Sequence, residues 1–124
     1  MELAGFYGKT ADEVKEILNK YNLEAASAHY EYEMFLTDGQ KCIEDLKEIG
    51  VKYVVIPLMA NDKQKGHDKY EQTVKEIIYV SDILKENGIQ LLYHNHDYEF
   101  EKFKDKIYLE CLLRKLKTTC RILK

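Results

Sequence analysis

The chain has no tryptophan, a single proline (Pro57) and three cysteines, Cys42, Cys111 and Cys120. An odd number of thiols with no C-x-x-C spacing argues against both a disulfide framework and a zinc site. Free thiols suit a reducing compartment, so a cytoplasmic protein is expected. Cys42 falls within a helical pattern and reads as packing. No apolar run approaches the roughly 20 residues of a membrane span, and the first residues lack the basic-then-apolar layout of a signal peptide, so no membrane association is expected. Also missing are a G-x-x-x-x-G-K-(S/T) phosphate loop, a G-x-G-x-x-G turn, a nucleophile elbow and an H-E-x-x-H pair. Nucleotide-dependent and serine-hydrolase chemistry are therefore disfavoured.

What is present is an ordinary globular composition, 45% hydrophobic and 33% charged over 124 residues, which fits one domain. Charge is unevenly spread. Residues 110–124 hold five cations (Arg114, Lys115, Lys117, Arg121, Lys124) and one carboxylate, Glu110, so of the formal net charge of −3 the tail carries +4 and residues 1–109 carry −7. An acidic body offers no surface for duplex phosphates, and no nucleic-acid partner is expected.

Three segments share one pattern: Leu18 to Asn22, Leu46 to Gly50 and Leu84 to Gly88, each closing a helical stretch and leading into an apolar strand. Asn and Gly tolerate the left-handed conformation that ends a helix, so each marks a helix-to-strand turn. Spacings of 28 and 38 residues between them are those of successive α/β units. Thr10-Ala11-Asp12-Glu13 is a capping box and predicts a helix over about 11–21. Thr37 or Asp38 caps a second helix with Cys42, Ile43, Leu46 and Ile49 on one face, and a third runs from about Asp68 to Asn87. The predicted strands are residues 25–29, 53–58 and 91–95, preceded by the tail of a strand at 1–4, giving a parallel sheet covered by helices. Leu109, Leu112, Leu113 and Leu116 recur at helical spacing. They predict a last helix that covers the sheet, in preference to a basic helix on a membrane or partner.

Chemistry concentrates in Tyr93-His94-Asn95-His96-Asp97-Tyr98-Glu99, directly after the apolar run Ile89 to Leu92. Polar groups crowding the carboxyl end of a buried parallel strand are what a ligand crevice looks like in an α/β protein. His94 and His96 lie two apart and share one side of an extended chain. Asp97 and Glu99 read equally well as a solvated loop or a surface ion-pair cluster, and His29, at another strand end, as core or pocket lining.

Glu2-Leu3-Ala4-Gly5-Phe6-Tyr7-Gly8, Ser27-Ala28-His29, Tyr53 to Pro57 and Tyr93 to Phe100, in this order, resemble the sugar phosphate isomerase/epimerase family of xylose isomerase-like TIM barrels. The resemblance covers about residues 1–105, and the Y-H-N-H-D-Y-E-F block is its specific part. It implies an α/β partial (β/α) barrel of about strands two to five, with residues 106–124 as an atypical basic helix or tail. It further implies a small-molecule sugar or sugar phosphate as ligand, with proton abstraction next to a carbonyl as the reaction. His94 would be the catalytic residue and a candidate metal ligand. Asn95, His96, His29 and Tyr7 would contact the sugar or wall its pocket. Intact members use a divalent metal, Mn, Co, Mg or Zn. Their acidic and histidine ligands on strands six to eight have no counterpart after Lys106, and a complete barrel takes ~250 residues. The expectation is a fragment, inactive and without metal by itself. The alternative is a non-catalytic half-barrel that forms a homodimer, or binds a partner, through exposed sheet edges.

Overall fold

The computed structural model describes residues 1–116 and, as backbone, 120–123. In chain order the elements are β1 (Glu2–Leu3), α1 (Ala11–Lys20), β2 (Ser27–His29), α2 (Tyr32–Ile49), β3 (Tyr53–Ile56), α3 (Tyr70–Glu86), β4 (Gln90–His94), β5 (Lys102–Phe103), β6 (Lys106–Ile107), α4 (Tyr108–Leu116) and β7 (Cys120–Leu123). Five strands form one all-parallel sheet in the order β1-β2-β3-β4-β7. This is the succession of α/β units that the turn spacing predicts. Beyond the expected strands, β7 adds a fifth to the sheet and β5 pairs antiparallel with β6 as a separate hairpin.

The repeated turn has one physical form at all three places. Asn22, Gly50 and Gly88 have φ of 51°, 85° and 75°. In each case the amide one residue further on returns to the carbonyl of the leucine: Leu23 to Leu18 (2.9 Å), Val51 to Leu46 (3.2 Å) and Ile89 to Leu84 (3.0 Å). That six-to-one bond satisfies an orphan helix carbonyl, and the buried leucine anchors the turn in the core. At the other end of α1 the capping box is complete: Thr10 Oγ1 accepts from Glu13 N, and the Glu13 carboxylate accepts from Thr10 N at 2.8 Å.

Helix α2 starts earlier than its capping residues suggest. Thr37 turns its hydroxyl back onto the carbonyls of Glu33 (3.3 Å) and Met34 (3.1 Å), and Asp38 leaves helical geometry at φ −145°, ψ 56°. Residues that offer the backbone local alternatives mark a kink here, with a further turn and a half of helix on its N-terminal side.

Register sorts the sheet into two faces, because residues opposite one another in neighbouring parallel strands project to the same side. One set of rows, Leu3-Ala28-Val54-Leu91 and Ile56-Tyr93, faces the helices. Ala28, Val54, Ile56, Leu91 and Tyr93 join Leu18, Phe35, Leu46, Ile49, Ile77, Val80, Leu84, Leu112 and Leu116 in one buried cluster. α4 packs on α3 with Tyr108, Leu112 and Leu116 buried. The alternate rows, Glu2-Ser27-Tyr53-Gln90 and His29-Val55-Leu92, occupy the opposite, concave face, with His94 one layer above Leu92. Among the described residues no helix is long and apolar enough to cross a membrane.

Candidate functional site

The chemistry-bearing side chains gather where β1, β2 and β4 end. His29 and His94 share the concave face in successive layers, and their rings meet edge-on with centroids 6.0 Å apart. His96 stacks on His94 at 5.0 Å with planes 8° apart, and Tyr98 continues the stack at 5.6 Å. Beneath them lies Glu2: one carboxylate oxygen accepts from Ser27 Oγ at 2.7 Å and the other bonds His29 Nε2 at 3.0 Å. The Ser27 hydroxyl first, then the neighbouring imidazoles, hold the Glu2 carboxyl below its ordinary range. A carboxylate on Nε2 favours the tautomer protonated there, which leaves Nδ1 as the basic nitrogen of His29.

The loop after β4 is built on a second carboxylate. Glu99 is 0% exposed. Its Oε1 accepts from the Tyr93 hydroxyl and its Oε2 from the His96 amide, each at 2.6 Å. Burial first, and then the adjoining carboxylate, push the Tyr93 phenol far up, so it remains a donor. Asp97 is exposed and caps the short 3₁₀ turn Tyr98–Phe100 by accepting from Tyr98 N at 2.9 Å.

The structure therefore brings His29, His94 and His96 together, with Asn95 half-buried at the strand end between the last two. It does not bring Tyr7 to them. Tyr7 is 83% exposed at φ 51° and borders an apolar groove on the outer side of β1 with Leu3, Val14 and Ile17. Glu2 is a site residue that sequence reasoning did not single out, and Glu99 is neither the solvated residue nor the surface ion-pair member expected, because the loop folds it back onto the Tyr93 hydroxyl and the His96 amide. Glu2 carries a signal only in register, as the acidic member of the row containing Ser27.

A cavity of about 320 Å³ opens beside His29, walled by Phe6, Tyr30, Met34 and Pro57. A larger one, about 580 Å³, lies at the opposite ends of the strands among Lys15, Glu24, Lys52 and Tyr53. The smaller is the better candidate, because ligands of parallel α/β sheets bind outside the carboxyl ends of the strands, and of the three imidazoles His29 lines it. A divalent metal does not fit the described residues by themselves. Among them no group of three or more His, Cys, Asp or Glu converges as a metal site requires, and both Glu2 oxygens are already engaged.

Five parallel strands alternating with covering helices, with polar groups at their carboxyl ends, define part of a TIM barrel. Comparison with solved structures gives its type, xylose isomerase-like. A sugar phosphate isomerase/epimerase from Parabacteroides distasonis is 24% identical with a TM-score of 0.69, over 95% of this chain and 48% of that one. An AP endonuclease, family 2, from Brucella melitensis is 14% identical with a TM-score of 0.70, over 98% and 55% respectively. A xylose isomerase-like TIM barrel protein from Mycobacterium smegmatis, in complex with magnesium, is 12% identical at a TM-score of 0.59, over 90% and 44%. The chain thus spans about half the length of the structures it matches. No family model and no curated protein matches it.

Proposed function

We propose that this chain is the sugar-binding part of an isomerase/epimerase-type barrel, with His94 as the group that moves a proton at the carbon beside a sugar carbonyl. The observation that carries this reading is the His29-His94-His96 cluster at the carboxyl ends of β2 and β4. A neutral imidazole there can take the proton from the C–H bond, whose electron pair then forms the enediolate as the carbonyl oxygen gains charge. Return of the proton to the neighbouring carbon, with the adjacent hydroxyl's proton passing to the former carbonyl oxygen, gives isomerisation; epimerisation needs a second donor that delivers a proton to the opposite face of the same carbon. His29, Asn95 and His96 contact the sugar hydroxyls in this reading, and Tyr7 would reach them only if its loop moved. The fold relatives support a sugar or sugar phosphate as ligand, and the acidic body disfavours abasic DNA. No step is assigned to a metal. The remaining half of such a barrel is where further groups would come from, so the chain alone binds without turnover. The buried thiol Cys42 and the half-buried Cys111 are both free, which supports a cytoplasmic location.

The test is an NMR titration with glucose, fructose and their 6-phosphates, followed in D₂O. Binding should shift the His29, His94 and His96 ring resonances, the shifts should be lost in His94→Ala, and no deuterium should enter the sugar. Unmoved histidine resonances at saturating concentrations of all four sugars reject the reading; deuterium beside the carbonyl shows turnover and rejects the claim of inactivity.

A second reading, self-association, draws on the exposed apolar groups beside the edge strand β1: Met1 at 57%, Ile17 at 42% and Leu23 at 41%. It predicts a dimer in sedimentation equilibrium that Leu23→Lys dissociates.

A further inference from the structure

We propose that Glu99 is a positioning residue of this site, a buried clamp that holds the His94–His96 imidazole stack at the carboxyl end of β4. Tyr93 and His94 are neighbours on β4 and project to opposite faces, Tyr93 into the helix layer and His94 onto the concave face. Glu99 takes the Tyr93 hydroxyl on one oxygen and the His96 amide on the other, so a single carboxylate ties the strand to the loop that leaves it.

Three features separate this from ordinary packing. Among the described residues Glu99 makes no ion pair, and a fully buried carboxylate without a cation costs stability, so folding alone does not call for an acid here. Both of its partners are donors, which matches a group with two accepting oxygens; glutamine would turn an N–H toward one of them. Among the described residues His96 is bonded through its backbone amide, and the Nδ1 of its ring is buried without a partner. What keeps it stacked on His94 is the backbone bond to Glu99 together with ring contact on both faces, His94 on one side and Tyr98 on the other.

The inference rests on the proposed function only for the purpose of the stack; its test needs no sugar. Two measurements decide it. In the unaltered protein the His96 amide, although it lies outside every strand, should be protected from hydrogen exchange at least tenfold over a free loop amide. Exchange at the free-loop rate overturns the clamp, and this readout does not depend on any variant folding. In Glu99→Gln, with folding checked by circular dichroism, the His94 and His96 ring resonances should move toward those of unstacked histidine. Tyr93→Phe, which leaves the His96 bond in place, should move them less. A folded Glu99→Gln protein with unchanged ring resonances overturns the positioning role. Failure of sugars to bind the unaltered protein rejects the proposed function and leaves both of these outcomes readable.

Discussion

Glu2 shows how much a single side chain can depend on partners distant in sequence. Its carboxylate is held by Ser27 and His29, 25 and 27 positions away, and its folded pKa lies below the ordinary 4.5. A depressed carboxylate contributes stability that is present above the ordinary value and is lost as pH falls through the lower folded value. Urea unfolding between pH 6 and pH 3 should therefore show a steeper acid-side loss in the unaltered protein than in Glu2→Gln. Equal slopes would mean that the bonds to Ser27 and His29 do not persist in solution. His94 and His96 were legible because they stand in one contiguous polar tract at the end of an apolar run. Glu2 was not, because nothing beside it in sequence marks it; only strand register sets it in the row of Ser27. Glu99 was hidden for a different reason: a carboxylate in a polar tract reads as solvated, and its burial depends on the loop folding back onto Tyr93.

Helices and the turns that end them were the most legible elements, since capping boxes and left-handed turns are local chemistry. Thr10→Ala should cost about 1 kcal/mol in thermal or urea unfolding, the usual worth of an N-cap side chain. Gly50→Ala should cost about 1 kcal/mol for a different reason: a Cβ there meets nothing within 4 Å, so the penalty is that of placing an L-residue at φ 85°. The β5–β6 hairpin escaped the reading because its two-residue turn, Lys104 (φ 48°) and Asp105 (φ 64°), has the left-handed geometry usually announced by Asn-Gly. Replacing Lys104-Asp105 by Asn-Gly should raise stability by about 1 kcal/mol, because those residues adopt the geometry with less strain. A lowered melting temperature would show that the turn takes another form. The kink at Asp38 was illegible in kind: Thr and Asp signal both helix starts and helix interruptions, and only the carbonyls that Thr37 reaches decide between them.

At the scale of the whole molecule, the order of units followed from turn spacing, while β7 did not, because it follows a short helix in a basic segment whose sequence has no Asn or Gly to mark a helix-to-strand turn. One consequence of the observed order concerns how the molecule opens. β3 and β4 each have parallel neighbours on both sides, and their helix-facing residues Val54, Ile56, Leu91 and Tyr93 are buried against α2 and α3. β1 is two residues long at the sheet edge, tied by the Ala26 amide on the Met1 carbonyl (2.7 Å) and by the Glu2 bonds to β2. Local opening draws on elements with few buried apolar contacts, whereas a strand in the middle of the core opens only with global unfolding. Native-state hydrogen exchange should therefore rank the amides of β3 and β4 as the slowest, sharing one opening free energy, with β1 and its partner amides in β2 exchanging well before them. Leu46→Ala, which empties a fully buried site on α2, should lower stability by roughly 2–5 kcal/mol and reduce the protection of β3 and β4 by the same amount, since both lie in the unit it destabilises. It should leave β1 almost unchanged, because an edge that already opens locally does not report the global barrier. Equal protection of β1 and β3, or a loss in Leu46→Ala confined to α2, would mean that the five strands do not form one core with a loose edge.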